Sequence, residues 1–313
     1  MQIVHGHRNV PAWGGAAIAI GNFDGVHLGH RALIARAREL AAATGALSVA
    51  LTFEPHPAVL LAPAHAPRML TSVERRIELL AEAGVDAVVI EPFTRELASA
   101  SADAFVDDLV IGALRARAIV VGYDFSYGQG RTGTVAALQA HGRRAGVDIA
   151  IVPPVTVDGE IAASTKIRAH LRAGELAQAE QMLGRRWDVD GIVVHGAERG
   201  RAIGVPTANI APGVELAIAP GIYAVTLGVE GGPPMAAVAS LGTNPTFVDG
   251  DQLVLEVHVL DWAGDLYDRR VRTTFVARLR DEQKFASVES LIAQIQRDIA
   301  DARASLIRMA VSG

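Results

Sequence analysis

Two histidines three residues apart form the first candidate site in this sequence. His27 and His30 lie in the stretch GNFDGVHLGH at residues 21–30, after an apolar run at residues 16–20 and before a helical pattern over residues 31–43. The start of a helix presents free backbone N–H groups and the positive end of a dipole, so anions bind there. Two imidazoles on one helical face add hydrogen-bond donors. The stretch predicts a site that stabilises the phosphates of a nucleotide while one of them is attacked.

A second candidate anion site opens another predicted helix. Residues 164–168 bring two hydroxyl groups and two cations to one helix start, from Ser164, Thr165, Lys166 and Arg168, a combination suited to phosphate. The alternative is an ordinary helix cap with surface charges. Near the histidines, Gly21, Gly25 and Gly29 would let a ligand approach the backbone closely.

An aromatic loop follows the predicted strand at residues 119–121. Tyr123, Phe125 and Tyr127 alternate there with polar residues. Ligands of open α/β sheets bind at the carboxyl ends of the strands, so these rings could contact an aromatic ligand; a packed loop with aromatic anchors is the alternative. The spacing of Gly128–Gly133 matches a dinucleotide fingerprint, but it begins six residues beyond the strand, and we discount it.

A third group of candidates lies in the second half of the chain. Three glycines four residues apart, Gly196, Gly200 and Gly204, predict a mobile loop whose amides surround phosphates; a plain hairpin is the alternative. Thr207 and Asn209 follow with oxygen ligands that suit Mg²⁺. Glu256 lies on the polar face of a predicted strand, where a carboxylate can act as a general base or simply face solvent. Neither of the two lysines follows a glycine, which excludes a lysine-dependent P-loop.

Alternating strand and helix patterns up to about residue 185 predict a doubly wound parallel sheet. The predicted strands are 18–20, 48–53, 87–90, 119–121 and 149–152, with helices between them, one of which covers 104–114. Two short helices over 164–183, divided at Gly174, follow. Strand patterns at 192–195, 222–227, 236–240, 253–260 and 271–277 then predict an antiparallel barrel or sandwich, followed by a helix over about 287–307. The predicted domains are residues 1–185 and 186–313.

Composition narrows the class of protein. The chain has 313 residues, half of them hydrophobic, which favours two domains with sizeable cores. A formal net charge of -5 argues against a broadly basic nucleic-acid surface, and the absence of cysteine excludes disulfides and thiolate metal sites. No signal-peptide core is visible, and no apolar run approaches the roughly 18 residues needed to span a bilayer. We expect a cytoplasmic protein with small-molecule substrates and without nucleic-acid or membrane partners.

Taken together, these stretches resemble the bacterial bifunctional riboflavin kinase/FAD synthetase family over essentially the whole chain. In the first half the resemblance is carried by GNFDGVHLGH (21–30), TFEPHP (52–57), GYDFSYG (122–128) and STKIR (164–168). In the second half it is carried by GRAIGVPTAN (200–209), PGIYAV (220–225), SLGTNPTF (240–247), LEVHVLDW (255–262) and LRDEQKF (279–285).

The resemblance implies a Rossmann-like nucleotidyltransferase domain, which converts FMN and ATP to FAD, and a riboflavin kinase barrel, which makes FMN from riboflavin and ATP. Both reactions would use Mg²⁺. The implied catalytic residues are Glu256 in the kinase and His27 and His30 in the adenylyltransferase. The implied adenylyltransferase nucleotide site comprises Gly21, Asn22, Phe23, Asp24, Gly29, Ser164, Thr165 and Arg168. The implied flavin contacts are Asp124, Phe125, Tyr127 and Arg280. The implied kinase nucleotide site comprises Gly196, Gly200, Arg201, Gly204, Pro206, Thr207 and Asn209, of which Thr207 and Asn209 would hold the metal.

Three other functions are weighed against this one. Ala163 stands where the family usually has a serine, which would fit an enzyme with kinase activity alone. A flavin-binding or regulatory protein would not need Glu256 as a base. A nicotinamide oxidoreductase rests only on the discounted glycine spacing. Homo-oligomerisation, the preferred metal and the passage of FMN between sites are left open.

Overall fold

The chain folds into two compact units. The computed structural model describes residues 1–196, 204–230, 232–243 and 253–311. The first unit comprises Met1–Pro67 and Val73–Ala163, and the second comprises Arg68–Ser72 and Ser164–Gly313. The two predicted short helices over 164–183 therefore belong to the second compact unit. The functional boundary after residue 185 stays a prediction.

The first unit is built on a six-stranded parallel sheet with the strand order β1-β4-β3-β2-β5-β8. Two short hairpins, β6–β7 and β9–β10, lie outside this sheet. The parallel sheet predicted from the β-α alternation is confirmed. The strands are β1 Gln2–His5, β2 Ala16–Ile20, β3 Leu47–Glu54, β4 Ala87–Pro92, β5 Ala116–Gly122, β6 Ser126–Tyr127, β7 Gly133–Thr134, β8 Asp148–Val152, β9 Thr156–Val157 and β10 Glu160–Ile161.

Helices cover this sheet, because apolar residues recur along one side of each helix. Leu33, Ile34 and Ala37 of α1, for example, are buried against the sheet. The helices are α1 Leu28–Thr44, α2 Pro57–Leu61, α3 Val73–Glu82, α4 Arg95–Ser99, α5 Ala102–Ala104 and α6 Val135–Ala145. A helix was predicted over 104–114, and the structure has a helix there of a different type. A π-helix, Phe105–Ala113, continues α5, and Leu114 N donates to Leu109 O at 3.0 Å.

The second unit is a closed antiparallel barrel with the strand order β11-β12-β15-β14-β13-β16. The predicted antiparallel barrel and terminal helix are confirmed, and Gly174, with φ of 78°, separates the first two helices as predicted. The elements are α7 Ser164–Ala173, α8 Leu176–Leu183, β11 Asp188–Val194, β12 Ala208–Pro212, β13 Gly221–Val229, β14 Met235–Thr243, β15 Leu253–Val259, β16 Arg270–Arg280 and α9 Val288–Val311.

The barrel strands alternate between a buried inner face and an outer face. On β15, Leu255 and Val257 are fully buried, while Glu256 between them is only partly buried. On the outer face, α9 packs Ala302 and Leu306 against Ala224 of β13. Among the described residues, no helix combines the length and the apolar character needed to cross a membrane.

Candidate active sites of the two units

The turn between β2 and α1 is held in a strained conformation by the core. Phe23 and Val26 have positive φ values of 51° and 40°, and Gly25 between them has φ of 80°. A β-branched residue seldom adopts such a conformation unless the surrounding packing enforces it. Both Phe23 and Val26 are fully buried, so packing supplies that force. The turn thereby delivers His27 to the start of α1.

His27 caps α1 and stacks on His30. Its Nδ1 accepts the backbone N–H of His30 at 3.4 Å, and the two rings stack with centroids 3.7 Å apart. Because Nδ1 accepts, a neutral His27 carries its hydrogen on Nε2, where it can donate. A Cβ on Gly29 would lie 3.1 Å from the His27 ring, so glycine leaves room for this stacking.

His30 is an uncharged imidazole at neutral pH. Burial, the neighbouring His27 and the Arg76 cation hold the pKa of His30 well below its ordinary value of 6.5. Its buried Nδ1 has no hydrogen-bond partner among the described residues. The positive potential for an anion therefore comes from the N-terminus of α1, and the two imidazoles serve as hydrogen-bonding groups.

Asn22 is oriented by His56, which the sequence analysis did not single out. Asn22 Nδ2 and His56 Nε2 lie 3.1 Å apart, while His56 Nδ1 accepts Ala58 N–H. A neutral His56 must then carry its hydrogen on Nε2, so the oxygen of the Asn22 amide should face it. That orientation leaves the Asn22 NH₂ group as a donor on the opposite side. Both residues follow neighbouring strands, β2 and β3, which is the signal that could have linked them.

Arg76 fixes the backbone of the same turn, and no motif in the sequence pointed to it. Its side chain is 2% exposed, and Nη1 donates to Asn22 O at 3.3 Å and to Thr52 Oγ1 and Phe53 O at 3.2 Å. Nη2 pairs with Glu54 Oε2 at 2.8 Å. This buried cation ties the carboxyl end of β3 to the turn before α1.

The other predicted residues of the first unit differ in accessibility. Phe23 and Asp24 are buried, and Phe23 packs its ring on His30 at 5.2 Å. Asp124 is exposed, whereas Tyr127 is buried and stacks on Phe125 at 5.4 Å. The packed-loop alternative therefore describes Tyr127, and burial together with Asp103 raises the pKa of its hydroxyl. Their contacts with nucleotide or flavin stay predictions.

The predicted anion site at α7 lies in the second compact unit. Ser164 and Thr165 open α7, and Arg168, one turn later, is 5% exposed. Arg168 Nε donates to Arg68 O at 2.7 Å, which holds the guanidinium in place. That these residues join His27 and His30 in one site stays a prediction.

The barrel places Asn209 and Glu256 side by side. In the antiparallel ladder, Asn209 of β12 lies opposite Glu256 of β15, and Glu256 lies opposite Ser240 of β14. Cβ atoms of directly opposed residues are about 4.5–5.5 Å apart and project from one face. The row continues to Ile222, which shares its face with Ala224 beneath α9, so it belongs to the outer face of the barrel.

Gly196 gives the Asn209 side chain its space. A Cβ on Gly196 would overlap the amide of Asn209. Gly204 adopts φ of 77°, which favours glycine, and nothing lies within 4 Å of its would-be Cβ. Pro206 O accepts a hydrogen bond from His258 Nδ1 at 2.8 Å. Gly200 and Arg201, both predicted to bind ATP, lie outside the described residues.

The donor chemistry around Asn209 fits Mg²⁺. The described residues contain no cluster of three or more His, Cys, Asp or Glu side chains that could hold a metal ion. Thr207, Asn209 and Glu256 instead offer a hydroxyl, an amide and a carboxylate. Mg²⁺ prefers such hard oxygen ligands and commonly takes few of them from the protein, completing its octahedron with water and substrate phosphates.

Arg280, predicted to contact flavin, is paired within the barrel unit. Its Nε and Nη2 donate to the two carboxylate oxygens of Asp298 on α9 at 2.8 and 2.7 Å, and Nη1 donates to Asp281 O at 2.8 Å. Asp298 is 3% exposed. This bidentate pair anchors α9 to β16, and a flavin contact by Arg280 stays a prediction.

Comparison with known proteins defines the class: a FAD synthetase domain followed by a riboflavin kinase domain. The family model described as FAD synthetase matches residues 10–166, and the model described as riboflavin kinase matches residues 183–306.

The chain belongs to the family of bifunctional riboflavin kinase/FMN adenylyltransferases, which confirms the resemblance found in the sequence. It is 40% identical to the member from Escherichia coli strain K12 and 39% identical to the member from Pseudomonas fluorescens, covering 97% of each chain in both alignments. A crystal structure described as a macrolide-efflux protein from Streptococcus pneumoniae is similar in fold, with a TM-score of 0.84 and 29% identity over 97% of this chain and 99% of that one.

Proposed function

We propose that this chain makes FAD in two steps. The region matched by the riboflavin kinase model would transfer the γ-phosphoryl group of ATP to riboflavin, giving FMN and ADP. The region matched by the FAD synthetase model would join FMN to the adenylyl group of a second ATP, giving FAD and pyrophosphate. Family membership supports both reactions. The observation that carries the proposal is the strand register, in which Asn209 lies directly opposite Glu256 on one face of the barrel.

In the kinase step, Glu256 acts as the general base. Its carboxylate takes the proton of the 5′-hydroxyl of riboflavin as that oxygen bonds to the γ-phosphorus and the bond to the β-phosphate oxygen breaks. Asn209 and Thr207 hold the nucleotide and its metal, and Gly196 leaves room for the Asn209 amide. Mg²⁺, when bound, neutralises charge on the phosphates.

In the adenylylation step, the FMN phosphate is already anionic and needs no strong base. One of its oxygens bonds to the α-phosphorus of ATP, and the bond to the pyrophosphate oxygen breaks. The free N–H groups of α1 and the Nε2–H of His27 stabilise the charge that develops on the phosphate. His30 contributes as a neutral imidazole, and Asn22 orients the nucleotide through the NH₂ group that His56 leaves available.

The remaining assignments are part of the same proposal. Phe23 and Asp24 shape the phosphate turn from within the core, with Gly21 and Gly29 allowing close approach. Ser164, Thr165 and Arg168 add donors to the nucleotide phosphates. Asp124 and Phe125 contact the flavin of FMN.

A time course of flavin products tests the proposal. Purified protein is incubated with riboflavin, ATP and Mg²⁺, and riboflavin, FMN and FAD are separated at intervals. We expect FMN first and FAD afterwards. Accumulation of FMN without FAD would favour the kinase-only alternative and direct attention to Ala163. The absence of both products would contradict the proposal and favour a flavin-binding protein.

A further inference from the structure

The segment that precedes β12 carries Thr207, yet the strand itself begins only at Ala208. Pro206 has no backbone N–H and cannot donate to a ladder. Its carbonyl oxygen is instead held by His258 Nδ1 at 2.8 Å, across 52 residues of sequence. A carbonyl only accepts, so His258 must carry a hydrogen on Nδ1.

This hydrogen bond restrains the peptide unit that leads into Thr207. The Pro206 oxygen belongs to the planar peptide unit that also contains the nitrogen and Cα of Thr207. Anchoring that oxygen therefore restrains the rotation of the whole unit and the direction in which the Thr207 side chain leaves the backbone.

His258 also shares a strand face with the proposed base. Residues two apart on a strand project from the same face, so His258 and Glu256 both lie on the outer face of β15. The nearby Asp261 carboxylate is paired with Arg303 of α9 at 2.6 and 2.8 Å. Strand β15 thus carries the Glu256 carboxylate itself and also holds the peptide unit before Thr207, through the imidazole of His258.

We propose that His258 is a positioning residue of the kinase site, which sets Thr207 against the metal–nucleotide complex through the Pro206 carbonyl. This inference rests on the proposed kinase activity. His258 does not contact the reacting atoms in this scheme, so its loss would weaken the binding of MgATP more than the binding of riboflavin.

Three variants of the full chain test the inference. Asn carries its NH₂ nitrogen two bonds from Cβ, as His carries Nδ1, so His258→Asn can keep the hydrogen bond to Pro206. Gln extends one bond further, so the amide nitrogen of His258→Gln corresponds in position to Nε2 rather than Nδ1. This variant is the control with a misplaced donor. His258→Ala removes the donor. The measurements are the KM values for MgATP and riboflavin, kcat for FMN formation, and the rate of FAD formation from supplied FMN.

Loss of one hydrogen bond should raise the KM for MgATP in His258→Ala and His258→Gln by about three- to tenfold. We expect the KM for riboflavin and FAD formation from FMN to stay unchanged, and His258→Asn to recover most of the loss. An unchanged KM for MgATP in His258→Ala would overturn the inference, as would equal increases for both substrates or no recovery in His258→Asn. If the wild-type protein formed no FMN at all, the proposed function would fail first and this inference with it.

Discussion

Asn209 and Glu256 are neighbours only because β12 pairs with β15, 47 residues later in the chain. Cross-strand pairing of this kind sets two side chains on one rigid surface without help from a loop. The backbone positions from which the amide and the carboxylate project are therefore fixed before any substrate arrives. This preorganisation is what phosphoryl transfer requires, since its catalysis consists mostly of positioning and charge stabilisation.

Replacing Glu256 should separate the two activities. Glu256→Gln keeps the shape of the side chain but cannot accept the proton of the riboflavin hydroxyl. We expect FMN formation to fall by about 10²- to 10⁴-fold, the usual contribution of a general base. Adenylylation of supplied FMN should survive. Glu230→Gln, at an exposed position of the same unit, is the matched control, and parallel loss of both activities in folded Glu256→Gln would refute the division into two sites.

A methyl group at position 196 should impair the kinase without unfolding the barrel. The added Cβ would overlap the end of a flexible side chain, Asn209, which can move aside at little cost to stability. Moving that amide displaces a group that we assign to the nucleotide site. We expect Gly196→Ala to lower kcat/KM for FMN formation by about tenfold or more, as small misplacements do, with little change in the melting temperature.

The control for that variant is Gly228→Ala. The nearest neighbour of its would-be Cβ is Arg272 O at 3.8 Å, an ordinary contact distance. Gly228→Ala should retain wild-type kinetics. Equal kinetics in the two variants would show that the space beside Asn209 has no importance for the reaction.

Loss of the His27 imidazole should affect the adenylyltransferase alone. His27→Ala removes the Nε2 donor and the cap on the His30 amide. Removal of one donor to a developing oxyanion typically costs about 10²-fold in rate, and we expect FAD formation from FMN to fall by that order. FMN formation should remain largely intact. His65→Ala changes an exposed histidine of the same unit and should leave both activities unchanged. Equal loss of FMN and FAD formation in His27→Ala would contradict the assignment.

The depressed pKa of His30 predicts a pH dependence of stability. Between the folded-state pKa and the ordinary value of 6.5, the unfolded chain binds the proton more readily than the folded protein does. The contribution of His30 to stability is therefore complete above 6.5 and declines as the pH falls through the folded-state pKa. We expect the free energy of unfolding to drop less between about pH 7.5 and about pH 5.5 in His30→Asn than in the wild type.

Urea denaturation at the two pH values checks this prediction. The signal should report the first unit. Because Trp187 and Trp262 lie in the second unit, hydrogen exchange of the β2 and β3 amides at each urea concentration is a better probe than tryptophan fluorescence. An identical drop in both proteins would mean that His30 titrates normally in the fold. His65→Asn controls for the loss of a histidine at an exposed position of the same unit.

Much of the fold could be predicted from the periodicity of apolar residues in the sequence, and the elements that were missed have physical reasons. Five of the six strands of the parallel sheet and the terminal helix carry strong apolar patterns, and their predicted positions agree with the structure to within a few residues, whereas β1 was not predicted. β12, however, was not predicted, because Ala208–Pro212 contains an asparagine and a proline and has little β propensity. It becomes a strand because β11 and β15 both pair with it.

Residues of the candidate sites were predictable where a chemically functional side chain stands in a recognisable sequence motif. His27, His30, Asn209 and Glu256 stand in such motifs, and the structure places the first two, and the last two, side by side. Arg76 could not be found in this way, since an arginine on a helix usually faces solvent and only the packed fold shows that this one is buried. The strain at Val26 was equally hidden, because valine seldom adopts a positive φ and only the packed fold shows that this one does.

The closure of the barrel affects how readily each unit aggregates when the protein is heated. A closed sheet leaves no row of unpaired strand amides, so the barrel gives another chain no template for strand addition. The open sheet of the first unit does end, at β1 and β8, and each of these two strands has a neighbouring sheet strand on one side only. On heating, intermolecular aggregation should therefore begin at the FAD synthetase sheet, and riboflavin phosphorylation should outlast FAD formation.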